Sequence, residues 1–206
     1  MNVKRTLLLP LALVAALLAS AAKAPTASSI LAAVRAKMTS APAVEAVFTI
    51  NSGSGAVQGS VILSGAKYAM TTPQMSVWYD GKTQWTLLES TREVSITQPS
   101  ADELMETNPF AILSAHTDYY TARRLSDTNG RYRVELVPRD KGTVVSRFVV
   151  FVDPTTGWPA ALAVHFDDGR RIDVVIDSIS AAKAKSAATF KFDSKKHPTL
   201  EIIDLR

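Results

Sequence analysis

The chain has 206 residues, of which 47% are hydrophobic and 20% charged, so it can bury a sizeable core and is not an intrinsically disordered chain. Its formal net charge is +4, and Lys4 and Arg5 contribute two of those charges, which leaves the remainder too weakly basic for a nucleic-acid-binding domain. It contains no cysteine, which excludes disulfide bonds, cysteine-ligated metals and the lipid anchor of an exported lipoprotein.

Residues 1–21 are typical of an export signal peptide. A positively charged start is followed by an apolar run and then by small residues that offer cleavage sites after Ala21 and Ala24. Cleavage after Ala21 is favoured, because a proline follows Ala24. The apolar run is too short to span a bilayer comfortably, and an uncleaved N-terminal anchor is the alternative. We therefore expect removal at Ala21, or as late as Ala24, and a single domain over residues 22–206.

One amphipathic helix is predicted next, over residues 26–39. Ser28 and Ser29 are the candidate N-caps, and the helix should end before Pro42. The apolar residues with helical spacing are Ile30, Leu31, Ala33, Val34 and Met38.

After this helix the apolar residues recur with a period of two, which predicts β-strands. The strongest hairpin signal is Asp80–Gly81, which lies between the runs 75–79 and 83–88 and predicts a two-residue turn. Phe190 and Phe192 are expected to mark a short late strand. Turn signals recur roughly every 8–12 residues, as in antiparallel barrels and sandwiches, and indicate about eleven strands in all.

A helical insertion over residues 100–116 interrupts the strands. Ser100 is a candidate N-cap, and Glu103 in the first turn favours a helix through its dipole. Asn108 and Pro109 start a second helical turn, as cap and first helical residue. We therefore expect two short helical turns between two groups of strands.

Alternation of apolar and polar residues gives each strand one dry and one wet face. The dry face can be the core of a packed β-sandwich, which periodicity alone favours, or the inside of a half-closed barrel that the two helical segments cover. The apolar positions include several methionines and aromatic residues, and methionine adapts to exchangeable apolar partners. This composition favours a half-closed barrel with a cavity over a packed core.

Five short segments carry a family resemblance: Ala46, Phe48 and Thr49 after the first helix, residues 59–63, DGKTQW at 80–85, NPFAIL at 108–113 and AATFKF at 187–192. Their order and spacing resemble those of the periplasmic outer-membrane lipoprotein carriers, the LolA-like family. The resemblance covers essentially the whole chain after the signal peptide.

The resemblance implies a mainly β fold with short helices (α+β), namely a half-open antiparallel β-barrel of about eleven strands with a helical lid. It implies a soluble periplasmic carrier whose hydrophobic cavity receives the acyl chains of lipoproteins and carries them from the inner to the outer membrane. The implied partners are acylated lipoproteins, an ATP-driven release complex of the inner membrane and an acceptor of the outer membrane. A monomer without cofactor, metal or nucleic acid is expected. The alternative is a lipid-binding or envelope-stress sensor module of the same fold that transfers no cargo.

One departure from the family concerns closure of the lid. Carriers of this family often have an arginine after the second hairpin strand that helps to hold the lid shut, and here residues 64–67 read Ser-Gly-Ala-Lys. Lys67 lacks the planar fork of donors that an arginine offers, so it replaces that residue only in part.

The residues expected to bind lipid are the apolar ones of the cavity and the lid. They are Leu31, Val34, Phe48, Val61, Leu63, Tyr68, Met70, Trp78, Trp85, Val94, Ile96, Leu104, Met105, Phe110, Ile112, Leu113, Phe148, Val150, Leu162 and Val164.

No catalytic motif accompanies these residues. His116, His165 and His197 are far apart in the sequence and fit no metal-ligand spacing, and no nucleophile elbow or phosphate-binding loop is present. We therefore predict that the protein is not an enzyme. A hydrolase whose catalytic residues meet only in space is the alternative.

Overall fold

A computed structural model describes residues 24–53, 55–113 and 119–206. The predicted signal peptide over residues 1–21 lies outside these ranges, and so do residues 114–116 of the predicted helical insertion. No helix in the described ranges is both long enough and apolar enough to cross a membrane.

Helix α1 spans Ala27–Ser40. Its N-cap is Thr26, whose side chain accepts a hydrogen bond from the Ser29 backbone N at 3.1 Å, so the prediction of Ser28 or Ser29 as the cap is wrong. The helix ends because Ala41 precedes a proline and is extended, at φ −95° and ψ 143°. One side of α1 is buried, at Ile30, Leu31 and Val34.

In the described ranges, twelve strands follow in one sheet. They are β1 (Ala43–Ser52), β2 (Gly55–Ser64), β3 (Lys67–Thr71), β4 (Met75–Tyr79), β5 (Gln84–Leu88), β6 (Glu93–Thr97), β7 (Tyr120–Thr128), β8 (Arg131–Pro138), β9 (Val145–Val152), β10 (Pro159–Phe166), β11 (Arg171–Ala182) and β12 (Glu201–Asp204). Between β6 and β7 lie helix α2 (Ala101–Thr107) and a 3-10 helix (Pro109–Leu113). We call residues 100–113 the helical insert.

The strand order is β12-β6-β5-β4-β3-β2-β1-β11-β10-β9-β8-β7. Neighbouring strands are antiparallel, except that β12 pairs in parallel with β6. Strands β7 and β12 form the two edges, so the sheet curls without closing. The predicted half-open, mainly antiparallel β fold with two helical segments is therefore confirmed.

Two local predictions need correction. The β4–β5 turn is shifted by one residue to Gly81 and Lys82, because the Asp80 side chain accepts hydrogen bonds from the backbone N of Lys82 and Thr83. The predicted late strand at Phe190 and Phe192 is wrong, since Ala187–Phe190 is a 3-10 helix and the last strand is β12.

Glycine is required at position 59, where β2 passes under an aromatic ring of β1. Gly59 lies directly opposite Phe48 in the β1–β2 register. A Cβ added at Gly59 would lie 2.6 Å from Cζ of Phe48 and 2.8 Å from the carbonyl oxygen of Thr71 on β3. The missing side chain therefore lets the Phe48 ring lie flat over the strand and become fully buried.

Candidate functional site

One large cluster of apolar side chains fills the concave side of the sheet, beneath α1 and the helical insert. We call it the inner cluster, and the face of the sheet that carries it the inner face. Of the predicted lipid-binding residues, those that the structure brings together in it are Leu31, Val34, Phe48, Val61, Leu63, Tyr68, Met70, Leu104, Met105, Phe110, Ile112, Leu113, Phe148, Val150, Leu162 and Val164.

The other four predicted residues lie on the opposite, outer face of the sheet. Trp78, Trp85 and Val94 belong to a second cluster with Leu87, Leu200 and Phe192, which we call the outer cluster. Ile96 lies directly opposite Trp85 in the register and shares that face. The alternation along β4, β5 and β6 identified the correct apolar positions, but it does not say which face turns inwards. Here the outer face is dry because the segment between β11 and β12 covers it.

The helical insert places its apolar side chains inside the concavity. Phe110, Ile112 and Leu113 are 1%, 4% and 4% exposed. The centroids of the Phe110 and Phe48 rings are 5.2 Å apart, within the range of favourable aromatic pairs. The insert therefore occupies the space that the resemblance assigns to acyl chains.

Local hydrogen bonds build the helical insert as a unit. A capping box begins α2, in which the Ser100 side chain accepts from Glu103 N and the Glu103 carboxylate accepts from Ser100 N at 2.7 Å. The backbone N of Asn108 donates to Leu104 O at 2.8 Å, and its buried side chain accepts from Phe110 N at 3.1 Å. These bonds run within the insert, so burial of its apolar side chains holds it against the sheet.

A small polar cluster joins the helical insert to the sheet. The Tyr68 hydroxyl donates to Oε1 of Gln84 at 2.6 Å, and Oγ1 of Thr107 in the insert lies 3.4 Å from both of those oxygen atoms. This cluster lies next to Lys67, the position at which the resemblance led us to look for a lid-closing residue. Gln84 lies within DGKTQW, one of the five segments that carry the resemblance, but nothing in that segment indicates its partners. Thr107 carries no signal in the sequence, because a single polar residue at the end of a helix is common.

Ionisation of Tyr68 is expected to lower the stability of the fold at alkaline pH. It is 2% exposed, and burial raises the pKa of its phenol from 10.0 to about 12. The folded state thus holds the proton more tightly than the unfolded state, so this stabilisation is complete below pH 10 and is lost as the pH rises to about 12. Between these limits we expect the unfolding free energy of the wild type to fall by about 2–3 kcal/mol more than that of Tyr68→Phe. Urea denaturation of both proteins measures the difference, and equal losses would contradict it.

A small cavity adjoins the inner cluster. A cavity of about 130 Å³ opens between the end of α1, the β2–β3 turn and the helical insert, and its walls include Met38, Leu63, Leu104 and Phe110. An apolar cavity of about 150 Å³ accommodates a benzene-sized molecule. The cavity is therefore large enough for a small apolar group.

The two described histidines make ordinary structural contacts. Nδ1 of His165 on the outer face lies 3.1 Å from an Arg147 guanidinium nitrogen, and burial together with nearby arginines lowers the pKa of this imidazole. His197 stacks on Phe192, with ring centroids 5.5 Å apart. His116 lies outside the described residues.

Comparisons with known proteins agree with the fold. A family model described as outer membrane lipoprotein carrier protein LolA matches residues 17–168, almost three quarters of the chain. A comparison with curated proteins gave no match.

Several solved structures are similar to the chain at low sequence identity. An uncharacterized conserved protein from Thermus thermophilus has a TM-score of 0.57 at 10% identity, over 86% of this chain and 98% of that one. A LolA superfamily protein from Nitrosomonas europaea has a TM-score of 0.47 at 11% identity, over 82% and 99% of the two chains. A chain of the MucA/MucB complex from Pseudomonas aeruginosa has a TM-score of 0.41 at 12% identity, over 82% and 62%. At these identities the first similarity shows the fold alone.

Proposed function

Because this chain belongs to the family of LolA outer membrane lipoprotein carriers, we propose that it binds the acyl chains of lipoproteins in its inner cluster and carries them from the inner to the outer membrane. The observation that carries the proposal is the helical insert, which fills the concavity with Phe110, Ile112 and Leu113. The backbone N–H groups of Leu104 and Asn108 donate within the insert, and the insert pairs with no strand, so it can leave the sheet without breaking a strand pair.

On this proposal, bound acyl chains replace the apolar side chains of the helical insert in the concavity. The side chains of the insert leave the concavity, and acyl chains take their place against Phe48 and Phe148. Burying a methylene group is worth about 0.8 kcal/mol, so three chains of roughly sixteen carbons would contribute near 40 kcal/mol. That exceeds the practical ceiling of about 18–21 kcal/mol for non-covalent binding. The chains must therefore be buried only in part, and displacement of the insert offsets part of the gain, which permits release.

The family acts in the cell envelope, and a cleaved signal peptide over residues 1–21 would deliver this chain to the periplasm. There it would receive acylated lipoproteins from an ATP-driven release complex of the inner membrane and pass them to an outer-membrane acceptor. Members of the family are carriers and binding modules, and we propose that this chain is likewise not an enzyme. Handing cargo from one partner to the next requires no symmetry, so the carrier would act as a monomer.

Release of lipoprotein from spheroplasts tests the proposal. The purified protein is added to spheroplasts that synthesise a lipoprotein, and we expect the lipoprotein in the supernatant as a complex with the carrier. A lipoprotein whose acylated cysteine is replaced by alanine is the control, because it carries no acyl chains to bind. If the protein binds an acyl probe but releases no lipoprotein, the carrier role is wrong and a lipid-binding or sensor module of the same fold is the better description.

A further inference from the structure

The inner face of the sheet changes from apolar to polar between β4 and β5. On β4 the inner face carries Met75, Val77 and Tyr79, all of which contribute to the inner cluster. The register places Tyr79 opposite Gln84 and Val77 opposite Thr86, and these in turn lie opposite Thr97 and Ser95 on β6. Residues directly opposite one another share a face of the sheet. We call the four inward-facing residues Gln84, Thr86, Ser95 and Thr97 the polar strip.

The polarity of β5 and β6 is the reverse of that of β1, β2 and β3, which direct Phe48, Val61 and Met70 into the inner cluster. Their outer face carries Trp85, Leu87 and Val94, and these belong to the outer cluster under the C-terminal segment. Strands that served only as one wall of an apolar container would direct these residues inwards. The two strands instead direct hydroxyl and amide groups into the concavity, beside the helical insert.

The polar strip is continuous with the inner cluster. Gln84 accepts a hydrogen bond from Tyr68, a member of that cluster, and lies 3.4 Å from Thr107 of the insert. A molecule whose acyl chains enter the inner cluster from this side therefore has its polar end beside the strip.

We propose that the polar strip binds the uncharged, hydrogen-bonding headgroup of an acylated ligand, such as the hydroxyl groups of a sugar or the amides of a peptide. This inference rests on the proposed binding of acyl chains and adds the chemistry of the group to which they are attached.

The hydrogen-bonding capacity of the strip is only partly used. Oγ1 of Thr86 accepts from Nε2 of Gln84 at 3.3 Å, which leaves the Thr86 hydroxyl hydrogen to donate elsewhere. Ser95 and Thr97 are half-buried, and their hydroxyls make no hydrogen bond to the described part of the protein. The strip therefore offers donors and acceptors without net charge.

Acidic residues at one end of the strip disfavour an anionic headgroup. Glu93 shares the inner face, opposite Leu88, and Glu201 of β12 lies directly beside it in the register. Like charges placed this close repel, and a phosphate brought next to them would be repelled in the same way. A neutral headgroup avoids this cost.

The test compares three fluorescent probes with the same two acyl chains and different headgroups. They are a galactosyl diacylglycerol, a diacylated lipopeptide whose N-terminus is acetylated and whose C-terminus is amidated so that it carries no charge, and a phosphatidylglycerol. The protein variant is the triple substitution Thr86→Val, Ser95→Ala and Thr97→Val, which removes hydroxyls and keeps β-forming or small side chains. Thr121→Val on the outer face of the edge strand β7, where Thr121 is exposed, is the matched control.

We expect the wild type and Thr121→Val to bind at least one neutral probe about tenfold or more tightly than phosphatidylglycerol, and the triple variant to lose that preference. Preference for the galactolipid identifies a glycolipid ligand, and preference for the lipopeptide identifies the lipoprotein itself. Ser95→Ala alone should lose part of the preference, and it provides the answer if the triple variant does not fold. Equal binding of all three probes to the wild type, or an unchanged preference in the variants, overturns the inference and leaves the carrier proposal standing. If no acyl probe binds, both are overturned.

Discussion

Replacing Phe110 with aspartate is expected to abolish lipoprotein release from spheroplasts while the sheet stays folded. Phe110 is 1% exposed and packs on Phe48, and an ionised carboxylate buried there without a partner costs several kcal/mol. After acyl chains have displaced the insert from the concavity, its apolar side chains must still cover the chains from outside, and a carboxylate at position 110 cannot make that apolar contact. Since about 1.4 kcal/mol corresponds to a factor of ten, release should fall by about a hundredfold or more. The sheet should persist, because the insert is not a partner of any strand in the ladder of backbone hydrogen bonds that holds the sheet together.

Two further variants make this result specific. Leu113→Asp should have the same effect, because Leu113 is also buried in the inner cluster. Ala101→Asp is the control, since it places the same charge on an exposed residue of the same insert, at the start of α2, where an acidic side chain suits the helix dipole. Circular dichroism reports whether the strands persist. Normal release by both Phe110→Asp and Leu113→Asp would contradict a role for the insert in handling cargo.

Gly59→Ala is expected to destabilise the whole fold. The new Cβ would lie 2.6 Å from the ring of Phe48 and 2.8 Å from a backbone oxygen of β3. Neither of these groups can move at low energetic cost, because the ring is fully buried and the oxygen belongs to a paired strand. Overpacking of this kind costs about 1–3 kcal/mol, and contact with backbone places it at the upper end of that range.

The midpoint of urea denaturation measures the loss. Gly53→Ala is the matched control, because Gly53 lies in the β1–β2 turn, has no heavy atom within 4 Å of an added Cβ and does not adopt a positive φ. It should leave the midpoint nearly unchanged. Equal midpoints for Gly59→Ala and the wild type would show that Phe48 can shift without cost, and that β1 and β2 are not fixed by this contact.

The sequence was sufficient for the class of fold and for most of the inner cluster. Alternation along β9 and β10 identified Phe148, Val150, Leu162 and Val164 as residues of one face, and all four lie in the inner cluster. The other face of these strands is also apolar, at Val149 and Phe151, so the period of two groups the residues and the larger side chains of the inner set distinguish the two faces. Ser100 was recognisable as the cap of α2, because the capping residues lie next to one another in the chain. Local chemistry of this kind is readable without knowledge of the fold.

The sequence was not sufficient where a segment distant in the chain determines which face of a strand is buried. Trp78, Trp85 and Val94 are apolar at the right spacing, yet they turn outwards because Phe192 and Leu200, about a hundred residues later, cover them. The parallel strand β12 was missed for a related reason. It has only four residues, and no tight turn connects it to a neighbouring strand. Its partner β6 lies about a hundred residues earlier in the sequence.

The position of β12 also bears on the order in which the sheet can assemble. Strand β1 pairs with β11, and β6 pairs with β12. Both the middle of the sheet and one of its edges therefore need strands from the C-terminal part of the chain. Strand pairs between segments so distant in sequence form slowly, because closing the intervening loop costs entropy before the new contacts stabilise the pair. The sheet therefore cannot be completed until the last strands of the chain have been made. Until then, β1 and β6 each lack one of the neighbours that they have in the native sheet.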